Sequence, residues 1–194
     1  LRLGQSPLYH QPESRPMIII DIHDVTGVEV SAQATLSAGV RTMTISVTDA
    51  NGNTTSYEYD AFGNLVEQHS PDTGISRHAY DNAGNRLISV DSRSIVTRYT
   101  YDVLNRLTHT EYPTSPEENV VYAYDADAFD DSTGRTIELN AKGRLHHIQD
   151  QSGQTYYSYD HRGNVQYHIR TIGHNENSPV YWTDYRYDQG NKLI

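Results

Sequence analysis

From residue 42 onward the chain is written in short alternating runs. Segments such as NTTSYEY, RLISVDS, IVTRYTY and RLTHTEY place polar and apolar residues in turn and are rich in Val, Ile, Thr and Tyr. That period and composition belong to strands that show different side chains to the two faces of a sheet. Clusters of Asp, Asn, Gly and Pro separate the runs. No segment carries a convincing helical period, so the pattern predicts an all-β chain, a repetitive antiparallel meander with two strands per repeat.

The separators repeat as well. YEYDAFGNLV from Tyr57, HAYDNAGNRL from His78, YTYDVLNRL from Tyr99 and YSYDHRGNV from Tyr157 spell nearly one phrase. Its anchors are Tyr59-Asp60, Tyr80-Asp81, Tyr101-Asp102, Tyr124-Asp125, Tyr159-Asp160 and Tyr187-Asp188. A degenerate copy over 137–145 keeps the frame, with Leu139 for Tyr, Asn140 for Asp, then Gly143 and Leu145. Counting that copy, successive anchors lie 21, 21, 23, 15, 20 and 28 residues apart.

Turn chemistry explains the phrase. In Asp-x-x-Gly the Asp carboxylate accepts a backbone N–H two residues on, and the fourth residue enters the left-handed region. Gly63, Gly84 and Gly163 do so without steric cost, and where Gly is missing the residue is Asn105 or Asn191, which also tolerates that conformation. Each phrase therefore predicts a hairpin with a bulge, and the anchoring Asp residues read as turn caps rather than catalytic groups. Hairpin arithmetic then sets Tyr59 against Leu65, Tyr101 against Leu107, Leu139 against Leu145, Tyr159 against Val165 and Tyr187 against Leu193. Such aromatic and aliphatic pairs contribute about 0.2–1 kcal/mol each. Tyr80 would face Arg86 instead of an aliphatic, which predicts a bulge or slip in that copy. A second, looser family of turns lies between the first, at Asp49-Ala50-Asn51-Gly52, Pro71-Asp72-Thr73-Gly74 and Gln151-Ser152-Gly153.

Composition sharpens this picture. The chain of 194 residues has 16 Tyr but 2 Phe, 1 Trp and 2 Met, so tyrosine rings must supply much of the buried surface and a thin sheet is favoured over a thick globule. No cysteine is present, which excludes disulfides and thiolate zinc sites. A formal net charge of −10 with scattered Lys and Arg argues against nucleic acid as a partner. No apolar run approaches the roughly 20 residues that span a bilayer. Residues 1–16, containing QSPLYHQPESRP, read as an extended connector, and 17–41 as a β-hairpin or a worn start of the sheet, with Met17-Ile18-Ile19-Ile20 a buried strand. The chain opens on Leu1 and carries no signal sequence, which suggests a piece of something longer.

Candidate chemistry is sparse. Asp21, His23 and Asp24 suggest a metal or acid–base cluster, but neighbours on a strand point to opposite faces, so a solvated strand end is the better reading. By the same rule His146 and His147 face opposite ways. The acidic insertion at 125–134, with Asp125-Ala126-Asp127-Ala128-Phe129-Asp130-Asp131 its densest run, offers carboxylates of the kind Ca²⁺ prefers. It lacks the Gly and distal Glu of a helix-loop-helix calcium site and reads as a solvated loop. Paired-His zinc spacing, Gly-rich phosphate loops and a Gly-x-Ser-x-Gly elbow are all absent. No enzyme, metal or cofactor is expected.

The phrases at 57–65, 99–107 and 157–165 resemble the YD-repeat or RHS-repeat family, which includes bacterial polymorphic toxins, the shell components of insecticidal toxin complexes and teneurins. The resemblance covers roughly residues 42–194, and FDDSTGRTIELNAKGRL looks like a bacterial form of the repeat. It implies a strip of a curved or spiralling sheet, part of a secreted or cell-surface shell around a toxin or cargo domain, with further repeats of the parent chain as partners. Toxin-type members carry an Asp-Pro-rich self-cleavage motif after the repeats. No Asp-Pro dipeptide occurs here, which places cleavage and toxicity outside this chain. Edge-strand self-association is expected of an isolated strip. The rival reading is a carbohydrate-binding module, with Tyr181, Trp182 and Tyr185 of VYWTDYRY as its exposed rings.

Overall fold

The computed structural model describes residues 29–37, 40–130, 136–175 and 177–194. The expected connector at 1–16, the Met17–Ile20 strand and the Asp21, His23, Asp24 cluster lie outside the described residues.

One antiparallel sheet of 13 strands dominates. Its strands are β1 (Glu29–Ser37), β2 (Val40–Thr48), β3 (Thr54–Tyr59), β4 (Leu65–Ser70), β5 (Gly74–Tyr80), β6 (Arg86–Val90), β7 (Val96–Tyr101), β8 (Leu107–Glu111), β9 (Val120–Tyr124), β12 (Leu145–Asp150), β13 (Gly153–Tyr159), β14 (Val165–Ile172) and β15 (Val180–Asp184). Each strand pairs with the next in sequence, except that β9 pairs with β12 while β10 (Ala128–Asp130) and β11 (Thr136–Glu138) form a separate two-stranded ribbon. Between β8 and β9 lies one 3₁₀ turn, Pro116–Glu118. Among the described residues the sheet is open, with β1 and β15 as its outermost strands.

The Tyr-Asp turns set the register. Asp60 donates its backbone N–H to the Asn64 carbonyl at 2.9 Å, and Gly63 donates to the Asp60 carbonyl at 3.1 Å. Gly63 takes φ +87°, and Asn105, in the same place two repeats on, takes φ +59°. The pairs Tyr59↔Leu65, Tyr101↔Leu107 and Tyr159↔Val165 follow, as does the bridge Tyr187↔Leu193. Tyr80 does meet Arg86, but its register shift is not peculiar to that copy. The same shift stands before Tyr59, Tyr101 and Tyr159, because a type I turn closed by a left-handed residue always inserts one extra residue.

One expected pair is corrected. Leu139 does not face Leu145; Tyr124 does. Leu139 lies outside the sheet, its N–H bonded to the Asp127 carbonyl and its own carbonyl accepting from Tyr159 N. A completely buried apolar side chain gains more by packing over the sheet than by extending it.

Among the described residues the interior is small. Ile137, Leu139, Ala141 and Ile169 form it, flanked by Ala126, Tyr156, Tyr159 and Tyr167. The segment between β9 and β12 supplies most of these groups and covers the face of β13 and β14 that carries Ile169 and Ser158. From β3 to β9 the sheet is a single layer of mostly half-buried side chains, and β15 is exposed along its whole length.

Candidate functional site

The features that recur along this sheet are a row of Asp-centred turns on one edge and a row of tyrosines beside it. In each turn one carboxylate oxygen of Asp collects backbone donors. Asp60 Oδ1 accepts from Phe62 N and Asn64 N at 2.9 Å each, while Oδ2 accepts from Asn64 Nδ2 at 2.9 Å. Asp81 and Asp160 repeat the set with Asn85 and Asn164. Asp102 uses Arg106, and Asp188 receives Gly190 N and Lys192 N. Donors aimed at a carboxylate favour its charged form. The Asn85 side chain and backbone hold Asp81 below the usual carboxylate range, and Asn164 draws Asp160 down to about 2.

In three of the turns the fourth residue after the Asp also reaches sideways. Asn85 Nδ2 bonds Asn105 Oδ1 at 2.8 Å, Arg106 Nη2 bonds Asp125 Oδ2 at 2.7 Å, and Asn164 Nδ2 bonds Asn191 Oδ1 at 3.1 Å. Neighbouring turns are thereby laced into a strip.

From Tyr80 onward the tyrosine of each pair performs a task the sequence reading missed. At every junction between repeats the strand ladder stops short of the turn. The β4–β5 ladder ends at Glu67↔Arg77, β6–β7 at Ile88↔Arg98 and β8–β9 at His109↔Val121. The carbonyls of Leu65, Arg86 and Leu107, two residues nearer the turn, lie beyond those ladders. Tyr80 Oη donates to Leu65 O at 2.9 Å, Tyr101 Oη to Arg86 O at 3.0 Å and Tyr124 Oη to Leu107 O at 2.9 Å. Tyr159 Oη and Tyr187 Oη close the later junctions on Leu145 O and Val165 O at 2.7 and 3.0 Å. Phenylalanine packs like tyrosine but cannot supply this donor, and the excess of 16 Tyr over 2 Phe was the available signal. Replacing Tyr101 by Phe is expected to destabilise the chain by about 1 kcal/mol in urea unfolding, with the ring packing kept.

Asp125 sits in a turn built from two distant pieces. Its N–H donates to Arg144 O at 3.2 Å, and its Oδ1 accepts from Gly143 N at 2.6 Å across 18 positions of sequence. Tyr124-Asp125 and Gly143-Arg144-Leu145 are thus the two halves of one phrase with a segment spliced between them. Asn140 is not the anchor of a separate turn; its Nδ2 bonds Tyr159 O at 3.0 Å. Both Asp125 oxygens are occupied by Arg106 and Gly143, and residues 131–135 of the acidic run lie outside the described residues. Among the described residues no three His, Asp or Glu gather as a metal group.

The three rings proposed for a sugar do not share a platform. Tyr181 pairs with Arg170 and Trp182 with Ile169, so these successive residues stand on opposite faces of β15. Trp182 meets Tyr167 edge-on at 6.2 Å. Tyr185 lies past the strand and lines a shallow cavity with Tyr157, His168 and Tyr187.

A single open meander, stitched by Asp turns and tyrosine hydroxyls, defines a repetitive β-sheet protein of the Tyr-Asp type. The RHS Repeat family matches residues 43–75 and 80–117, and this stretch of the chain consists of RHS repeats. In fold the chain is similar to the crystal structures of TcdB2-TccC3-TEV and TcdB2-TccC3-Cdc42. Each gives a TM-score of 0.56 at 16% identity, over 79% of this chain and 9% of theirs. TcdB2-TccC3 without its hypervariable C-terminal region gives 0.52 at 18% identity, again over 79% and 9%. The chain therefore spans a small fraction of the length of these neighbours. No curated protein matches it in sequence.

Proposed function

We propose that residues 42–194 are a section of the wall of a secreted or delivered shell, formed with further repeats of a parent chain around a toxin or other cargo domain. On this reading the segment does no chemistry; its task is enclosure. The observation that carries the proposal is the uniform junction between repeats. From Tyr80 onward each repeat bonds to its neighbour through the same Tyr hydroxyl, and three pairs of neighbouring turns are laced as well, so the sheet can lengthen by repetition without needing a second layer. A thin sheet that grows by repetition suits a wall. The RHS match and the TcdB2-TccC3 neighbours support this reading. Electron cryo-microscopy of the parent protein tests it. A hollow particle lined by these strands with a domain inside is the expected result, and an open sheet with no interior would overturn the proposal.

A further inference from the structure

β12 carries two adjacent histidines at its start, and the strand is irregular there. Leu145 pairs with Tyr124 and His147 with Ala123, which leaves His146 as the extra residue of a bulge. The expected opposite-facing arrangement is therefore lost, and the two rings stand 6.0 Å apart. His146 Nδ1 and His147 Nε2 are both buried without a hydrogen-bond partner. Tyr156 of β13 stacks on His147 at 4.5 Å with the rings 14° from parallel.

From this geometry we infer that the β9–β12 junction is an acid-sensitive latch, closed while both imidazoles are neutral and loosened when they take up protons. Protonation would place two positive charges on rings 6.0 Å apart, in a site with two buried nitrogens that have no acceptor. The groups that face the pair are few. On the β9 side they are the Tyr124 carbonyl and Asp125, both favouring a charged His146. Asp125 is already committed to Arg106 and Gly143 N. On the β13 side they are Gln154, which bonds His147, and the neutral Tyr156. Burial outweighs these and holds both imidazoles below the ordinary histidine range, His146 lowering His147 further.

The sign follows from linkage. A histidine whose folded value lies below its unfolded value leaves the fold unaffected above the unfolded value, about pH 6.5. Stability is then lost as pH falls from there through the lowered folded value. The turn carboxylates do not share this window, since Asp81, Asp102, Asp125 and Asp160 are all lowered and stay ionised well below it. His78 shares their burial-driven shift, and its ring is bonded to Ser89 Oγ at 3.0 Å. The latch thus lies at the strand where the chain re-enters the sheet after the spliced segment.

Hydrogen–deuterium exchange of the whole chain at pH 7.5 and 5.5, corrected for intrinsic rates, tests the inference without reference to a shell. Amides of β9 and β12 are expected to exchange about threefold to tenfold faster at the lower pH, while β2 and β3, which carry no histidine, change less. The His146→Gln, His147→Gln variant should keep the pH 7.5 pattern and lose the acid response. An unchanged β9–β12 junction in the natural chain, or an equal response in the variant, would overturn the inference. Should the variant not fold, histidine ring resonances of the natural chain decide. Rings that gain protons only as the junction opens support the latch, and rings that titrate at the free-imidazole value in a closed junction refute it.

Discussion

Replacing Gly153 by alanine is expected to lower stability by about 3 kcal/mol or more, the largest loss from any single methyl added to this sheet. Gly153 follows the turn between β12 and β13 at φ +145°, where it pairs with Asp150 on one side and with Ile172 on the other. A Cβ there would run into the Thr171 carbonyl oxygen and stand 3.0 Å from Gly173 N. Both are backbone atoms of the neighbouring strand and its exit, so no rotamer change relieves the overlap; the strands must part. The turn's own bond from Gly153 N to Asp150 Oδ1, at 3.0 Å, would be strained at the same time. Gly63→Ala is the informative control. Gly63 also has positive φ, +87°, but nothing lies within 4 Å of a Cβ there. Only the left-handed conformation penalises that change, by about 1 kcal/mol. Urea unfolding of both variants should separate the two, and equal losses would mean that strain rather than crowding sets the cost at Gly153.

Truncating Leu139 to alanine is expected to cost about 3 kcal/mol. Leu139 is 0% exposed in a protein whose described residues bury very few apolar side chains, so it holds a large share of the interior. Its backbone bonds to Asp127 and Tyr159 remain in the variant, and Ile137, Ala141 and Ile169, with Ala126 and the rings of Tyr156, Tyr159 and Tyr167 around them, would have to shift to close the gap. Chemical denaturation gives the loss, and exchange of the amides at 136–141 should rise with it. Phe62→Ala supplies the contrast. That ring is 90% exposed at the tip of a turn, and its removal should change stability by about 0.5 kcal/mol or less.

The sequence disclosed what is local. Asp-x-x-Gly specifies its turn within five residues, so the register from Tyr59 to Leu65 and from Tyr159 to Val165 was legible without coordinates. Alternation supplied the strands and their single-layer, meandering order. What was not legible depends on partners far apart in sequence. Leu139-Asn140 imitated a Tyr-Asp pair because Gly143-Arg144-Leu145 follows at the right distance, yet the true partner, Tyr124-Asp125, lies before the ribbon of β10 and β11. Nothing local distinguishes the two. The same holds for the tyrosine hydroxyls, whose acceptors lie 14 to 22 residues away. The facing of His146 and His147 was misread because a bulge breaks the period of two on which that reading rested. Turns at Asp49 and Asp91 on the opposite edge share the Asp60 hydrogen bonds, though Ser94 at φ +65° disguises the second.

The spliced turn at Asp125 has a consequence beyond its own repeat. The sheet passes it without a change in order: Tyr124 still meets Leu145, and Tyr159 still bonds the carbonyl of Leu145. What fixes such a turn is the handshake between its first and last residues, while the length of chain that joins them is free. A barrel or sandwich must rebuild its packing to admit a new loop; here the turn edge behaves as a row of sockets. Extension of the sheet and elaboration of its surface are then independent variables, so such a protein can change what it displays without redrawing the fabric that carries it.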